Sequence, residues 1–259
     1  MRKTILMSTV TALSLTVSAV FGQLKPVAYA DGAQKLSGLS ISPAKATMKK
    51  AGVLILPAWK GIDKHAKNTA LELSKLGYYA FVADIYGEGN YPADDQGAGK
   101  LAGYYKKNVS AYHSRIKVAL NQLIKAGADP SRIVVMGYCF GGTGAIEAAR
   151  VNMPVRAAVS IHGGLDRDSS RTIEPIKPKL LILHGADDPM APPATILALE
   201  QEMRTAKADW QMIFYGNAVH SFSDPDAGND NSKGVAYNEL AAKRSWEHLK
   251  IFLTEIFAN

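Results

Sequence analysis

The sequence predicts an α/β domain: a mainly parallel sheet with helices on both faces. Three observations predict it. Short runs that are apolar at nearly every position recur, as at 52–56, 133–136 and 179–183, and such runs suit strands buried on both sides. Segments with helical apolar spacing separate them. Trp59, Cys139, His162, Asp188 and His220 all fall just after apolar runs, where open parallel sheets gather their reacting groups. The chain of 259 residues is long enough for one such domain with a large core.

The first residues stand apart from that domain. Met1-Arg2-Lys3 is a short basic start, and residues 4–21 are mostly apolar with interspersed Ser and Thr. This pattern predicts a secretory signal peptide over 1–22, hence an exported protein, periplasmic or secreted, with no stable membrane span once the segment is cut. Cleavage after Gly22 is preferred to cleavage after Ala30. Val27-Ala28-Tyr29-Ala30 with Asp31-Gly32 reads as half of a hairpin that continues into residues 36–41. The domain is therefore placed at 23–259.

Strands are expected at 52–57, 79–84, 133–138, 155–161, 179–183 and 210–215. Helices are expected at 62–76, 109–126, 140–149, 192–206 and 237–257. Residues 88–103 are rich in Gly, Ala and Asp and read as a loop. The formal charge of +7 falls to +5 without Arg2 and Lys3, and the remaining Lys are scattered. That distribution is a solvated surface and not a nucleic-acid footprint. No Cys/His spacing fits zinc and no Gly-rich phosphate loop occurs, so no metal or cofactor is expected. The oligomeric state is not written in the sequence, although an elbow thiol set in a pocket is poorly placed to bridge two chains.

Cys139 is the only cysteine. A lone thiol forms no intrachain disulfide. It lies in Gly137-Tyr138-Cys139-Phe140-Gly141-Gly142, a strand, a sharp turn and a helix start. The spacing G-x-C-x-G is the nucleophile-elbow pattern with Cys in place of Ser. A helix N-terminus favours the thiolate. A thiol nucleophile also needs a base, and the base an acid that fixes its tautomer. Cys139, Asp188 and His220 follow the order nucleophile, acid, base.

These motifs carry a resemblance. The chain resembles the dienelactone hydrolase (carboxymethylenebutenolidase-like) family of α/β-hydrolases in Asp84-Ile85-Tyr86-Gly87, the Cys139 segment, His162-Gly163-Gly164-Leu165, His184-Gly185-Ala186-Asp187-Asp188-Pro189 and His220-Ser221-Phe222. The resemblance implies the α/β-hydrolase fold and a Cys139–His220–Asp188 triad acting on a small ester or lactone through a thioester. It selects Asp188 over Asp187. It also implies an oxyanion hole formed by the backbone N–H groups of Phe140 and Trp59.

The sequence departs from the family in two places. A family Glu that contacts the resting thiol is replaced by Ala58. An arginine four residues past the catalytic His, which holds a substrate carboxylate, is replaced by Asp224. Dienelactone itself is therefore not the expected substrate; Lys60, Lys106 and Lys107 are the available cations. Ala58, Lys60, Tyr86, His162 and Phe222 are candidate pocket residues. Packing remains an equal reading for Tyr86, and a structural role for His162. His184 is expected to bond within its turn; His65, His113 and His248 are expected on helix surfaces. A thioesterase or amidase with the same triad, and a non-catalytic thiol sensor on the same fold, are the competing functions.

Overall fold

The computed structural model describes residues 23–45 and 47–258. The proposed signal segment lies outside the described residues. Eight strands form one sheet in the order β1-β2-β4-β3-β5-β6-β7-β8. β1 (Lys25–Asp31) and β2 (Gln34–Ile41) are the expected hairpin. Gly32 takes φ +58° at its turn, as a two-residue hairpin loop requires. β2 pairs antiparallel with β4 (Tyr79–Val82). From β4 onward all pairing is parallel, through β3 (Gly52–Leu56), β5 (Ile133–Tyr138), β6 (Ala157–Ile161), β7 (Lys179–Gly185) and β8 (Trp210–Tyr215).

Two layers of side chains fill the faces of the sheet. On one face α1 (Lys64–Lys75) and α6 (Glu239–Phe257) pack over Val53, Ile55, Val134, Met136 and Val159. On the other, α3 (Val109–Lys125), α4 (Phe140–Arg150) and α5 (Pro193–Thr205) cover Leu54, Leu56, Val135, Ala158 and Ile182. Alternation along β3 and β5 sends successive side chains to opposite layers. Each fully buried Leu or Ile adds about 1.5–3 kcal/mol.

One expectation fails. The segment read as a loop over 88–103 contains most of a helix, α2 (Asp95–Lys107). Asp94 caps it, its side chain accepting the Gly97 N–H at 2.7 Å. Gly97, Gly99 and Gly103 weaken its intrinsic propensity. Burial of Ala98, Ala102 and Tyr105, spaced four and three apart on one face, holds it.

The chain leaves β3 toward β4 on one side and returns as β5 on the other. The carboxyl ends of β3 and β5 thus flank a topological switch point, where such sheets bind ligands. Trp59 and Cys139 follow those two ends.

Candidate active site

The elbow is built by backbone crowding. Cys139 adopts φ 52° and ψ −115°, between β5 and the first residue of α4. That is left-handed backbone, costly for a residue with a Cβ. The turn is tight enough that α4 presses on β3: a Cβ on Gly141 would stand 2.1 Å from the Leu56 carbonyl oxygen. Gly137 and Gly141 are therefore dictated by space. The Thr143 N–H returns to the Cys139 carbonyl at 3.1 Å, closing the first helical turn.

Three side chains from three strand ends converge. His220 Nε2 lies 3.0 Å from Cys139 Sγ, and His220 Nδ1 lies 2.9 Å from Asp188 Oδ2. The other Asp188 oxygen accepts the Met190 N–H at 2.8 Å, which fixes the carboxylate plane. Asp187, its neighbour, is exposed.

Electrostatics favour an ion pair at the thiol. Burial pushes the Cys139 thiol up, but the His220 hydrogen bond and charge, the Lys106 charge and the Phe140 N–H together bring it below the usual thiol range. Burial pushes His220 down, and its bonds to Asp188 and Cys139 outweigh this and raise it to about 9. A thiolate beside an imidazolium is a primed nucleophile.

Phe140 and Trp59 are the candidate oxyanion donors. The Phe140 N–H is directed at the thiol. The Trp59 carbonyl accepts from the Tyr86 hydroxyl at 2.6 Å, which fixes the peptide geometry of the loop after β3. Tyr86 is buried and stacks on Phe140 at 5.9 Å, so packing and loop support are its roles.

The remaining candidates scatter. Ala58 is half-buried and accepts the Gly61 N–H. Lys60 pairs with Asp95 at the start of α2, at 2.5 Å, and lies over the Trp59 ring. Phe222 is fully buried among His162, Tyr215 and the α6 layer, a core residue and not a pocket wall. His162 is buried too. Its Nδ1 accepts the Cys139 N–H at 3.1 Å, and its Nε2 lies 2.8 Å from Ser223 Oγ.

Four histidine expectations need correction. His65 is half-buried against Tyr138, with ring centroids 4.3 Å apart. His113 reaches across to Glu147 at 3.0 Å. His184 is buried against Phe214, and neither ring nitrogen has a hydrogen-bond partner, so it does not bond within its turn. His248 bonds the Tyr215 hydroxyl at 2.8 Å. Helical or turn position alone did not reveal these partners, which come from distant elements.

Two cavities open nearby, and neither is lined by Cys139, Asp188 or His220. One of about 320 Å³ opens between α1 and α6, lined by His65, Tyr138, Ser223, Asp224 and Trp246. The other, about 340 Å³, lies beside α2 and α4, lined by Lys106, Tyr112, Thr143 and Gly164. Asp224 thus faces the α1–α6 cleft. Its carboxylate also caps a short 3-10 turn, Pro225–Ala227, accepting the Asp226 N–H.

The dienelactone hydrolase family model matches residues 36–257, nearly the whole described domain. The chain belongs to the dienelactone hydrolase family. Among solved structures, the dienelactone hydrolase-like promiscuous phosphotriesterase P91 from metagenomic libraries is 33% identical, with a TM-score of 0.83 over 91% of this chain and 98% of that one. A second, m3DLH, is 32% identical, with a TM-score of 0.86 over 92% and 99% of the two chains. A probable 2-oxo-3-(5-oxofuran-2-ylidene)propanoate lactonase from Bradyrhizobium sp. is 25% identical over 222 residues, 80% of this chain and 84% of that protein. The fold is that of the α/β-hydrolases, and the protein is a hydrolase of the ester and lactone class. Among the described residues no helix is long and apolar enough to cross a membrane.

Proposed function

We propose that the protein hydrolyses small carboxylic esters or lactones with Cys139 as nucleophile, through a thioester on its sulfur. The observation that carries this reading is the unbroken contact series Cys139 Sγ, His220 Nε2, His220 Nδ1, Asp188 Oδ2, at 3.0 and 2.9 Å. The thiolate attacks the carbonyl carbon. Charge moves to the carbonyl oxygen, which the N–H groups of Phe140 and Trp59 receive; one such donor is worth about 2.7–4 kcal/mol of barrier. Collapse breaks the bond to the leaving oxygen, and His220 supplies that alkoxide with a proton. His220 then takes a proton from water, the hydroxide attacks the thioester, and the carboxylic acid leaves as the Cys139 thiolate is restored beside the protonated His220. Asp188 keeps the His220 Nδ1 protonated throughout.

The lactonase name of the Bradyrhizobium relative supports including lactones among the substrates. The ordered triad favours catalysis over thiol sensing, which needs no oriented acid and base. Asp224 lines the α1–α6 cleft, and an acid in place of the arginine is the ground for expecting substrates other than dienelactone. Export remains part of the proposal, resting on the basic and apolar start of the sequence. Cell fractionation with N-terminal sequencing of the mature chain tests it, with Gln23 expected first and Asp31 refuting the preferred cut.

The activity test is a panel of p-nitrophenyl esters, neutral lactones and dienelactone, each with and without prior iodoacetamide. Turnover of at least one class, abolished by alkylation and by Cys139→Ala, is expected. Equal turnover in Cys139→Ala would sink the proposal. Inactivity on every substrate with rapid alkylation would favour the sensor reading.

A further inference from the structure

His162 is a buried imidazole that takes no part in the Cys139–His220–Asp188 contact series. His162 ends β6 as Cys139 ends β5, and it too has left-handed backbone, φ 40°. Two costly conformations thus sit side by side at the ends of paired strands. Left-handed backbone at a buried, non-glycine residue persists only where surrounding contacts over-determine it. The contacts of His162 run in two directions, to the nucleophile and to the loop that carries the base.

The hydrogen directions follow from one fact: a backbone N–H can only donate. The Cys139 N–H is shared between the Ile161 carbonyl at 3.0 Å and His162 Nδ1 at 3.1 Å. His162 Nδ1 is therefore an unprotonated acceptor, and its proton sits on Nε2. That N–H donates to Ser223 Oγ at 2.8 Å. The Ser223 hydroxyl is left to donate to His65 Nε2 at 3.3 Å. Ser223 stands three residues after His220, in the same loop. His162 also holds that loop through the Phe222 ring at 5.3 Å, edge-on, and the His220 ring at 5.3 Å.

We propose that His162 is a positioning residue, a neutral strut that ties the Cys139 turn to the His220 loop through Ser223 and sets the 3.0 Å contact between thiol and base. This rests on the reading of Cys139 as nucleophile. Neutrality is part of the role. A proton on Nδ1 would face the Cys139 N–H, donor against donor, and a second cation would oppose the His220 imidazolium. Burial first, and then the neighbouring His220, His65 and His184, hold His162 well below the ordinary imidazole range. Tyr138, the remaining titratable group against it, is uncharged in this range because burial raises it. The proton leaving Cys139 therefore has one destination, His220. His65, at the far end, lies in the α1–α6 cleft.

The test cuts the strut at the end remote from the thiol. Ser223→Ala removes the partner of His162 Nε2 without touching the Cys139 turn, and Ser223→Thr restores a hydroxyl. His162→Phe removes both bonds and carries a greater folding risk, so Ser223→Ala decides the matter. The readouts are the pH midpoint of Cys139 alkylation by iodoacetamide, kcat and KM for p-nitrophenyl acetate, and Tm. The strut predicts an alkylation midpoint raised by about one unit and kcat lowered about tenfold in Ser223→Ala, with KM little changed and both effects reversed in Ser223→Thr. A lowered Tm with the wild-type midpoint and kcat would reduce His162 to a packing residue and overturn the proposal. The reading of the nucleophile fails separately, if alkylation of wild-type Cys139 leaves turnover intact.

Discussion

Replacing Asp188 by asparagine tests the electrostatic core of the site. The His220 imidazolium is stabilised from 6.5 to about 9 despite burial. That net rise is worth about 3 kcal/mol at ~1.36 kcal/mol per unit, and its two sources are the Asp188 carboxylate and the Cys139 sulfur. Asp188→Asn keeps the shape and the place beside Met190 but removes the charge. The carboxylate's share, on the order of 1–2 kcal/mol, is enough to raise the Cys139 alkylation midpoint by about one unit. Turnover suffers further, because an amide accepts or donates equally well and lets His220 adopt the wrong tautomer; in a serine triad the equivalent change costs about 10⁴ in kcat. The assay is the rate of iodoacetamide alkylation and of p-nitrophenyl acetate hydrolysis across pH 4–10 in both proteins, with pH steps of about one unit. In the wild type, hydrolysis should fall at low pH as the thiolate is protonated, and above about 9 as His220 loses the proton it gives the leaving group. An unchanged alkylation midpoint with undiminished kcat in Asp188→Asn would refute the ion-pair reasoning.

Other outcomes follow from the same structure. Gly141→Ala places a methyl 2.1 Å from the Leu56 carbonyl oxygen and should cost about 1–3 kcal/mol or more, read as a lower urea midpoint with unchanged slope. Tyr86→Phe frees the Trp59 carbonyl and should cost about 0.5–1.5 kcal/mol of transition-state stabilisation, seen in kcat with KM nearly constant. Glu147 is held at about 2 against burial by His113, Arg150 and Arg171. A depressed carboxylate stabilises the fold fully above its unfolded value near 4.5 and loses that contribution as pH falls toward 2. Melts between pH 6 and 2.5 should therefore show an acid-side loss approaching about 3 kcal/mol that is shallower in Glu147→Gln; parallel curves would contradict this.

The sequence was most legible where a local rule and the tertiary structure agree. The β5–Cys139–α4 unit was readable because an apolar run, a strained nucleophile position and crowding glycines each leave a mark in the same ten residues. Asp188 and His220 were readable only through their order and their places after strands, since neither segment is unusual alone. The misreadings share a cause. α2 carries three glycines in thirteen residues, and only the surface it covers makes it helical. His65, His113 and Phe222 have ordinary local contexts, and Tyr138, Glu147 and the α6 layer, far away in sequence, decide what they do. His162 was visible as a residue of a motif. Its hydrogen-bond directions depend on the backbone of Cys139 and a hydroxyl 61 residues downstream, which no spacing encodes.

The central claim is that Cys139 carries the acyl group. Rapid acid quench of the enzyme turning over p-nitrophenyl acetate, followed by intact and peptide mass spectrometry, measures this directly. One acetyl group per chain, located on Cys139, is the predicted result. The adduct should persist on dilution in a His220→Ala protein that retains the fold, because no base remains to activate water. Sustained turnover with no adduct on Cys139, or an adduct on another residue that survives in Cys139→Ala, would contradict it.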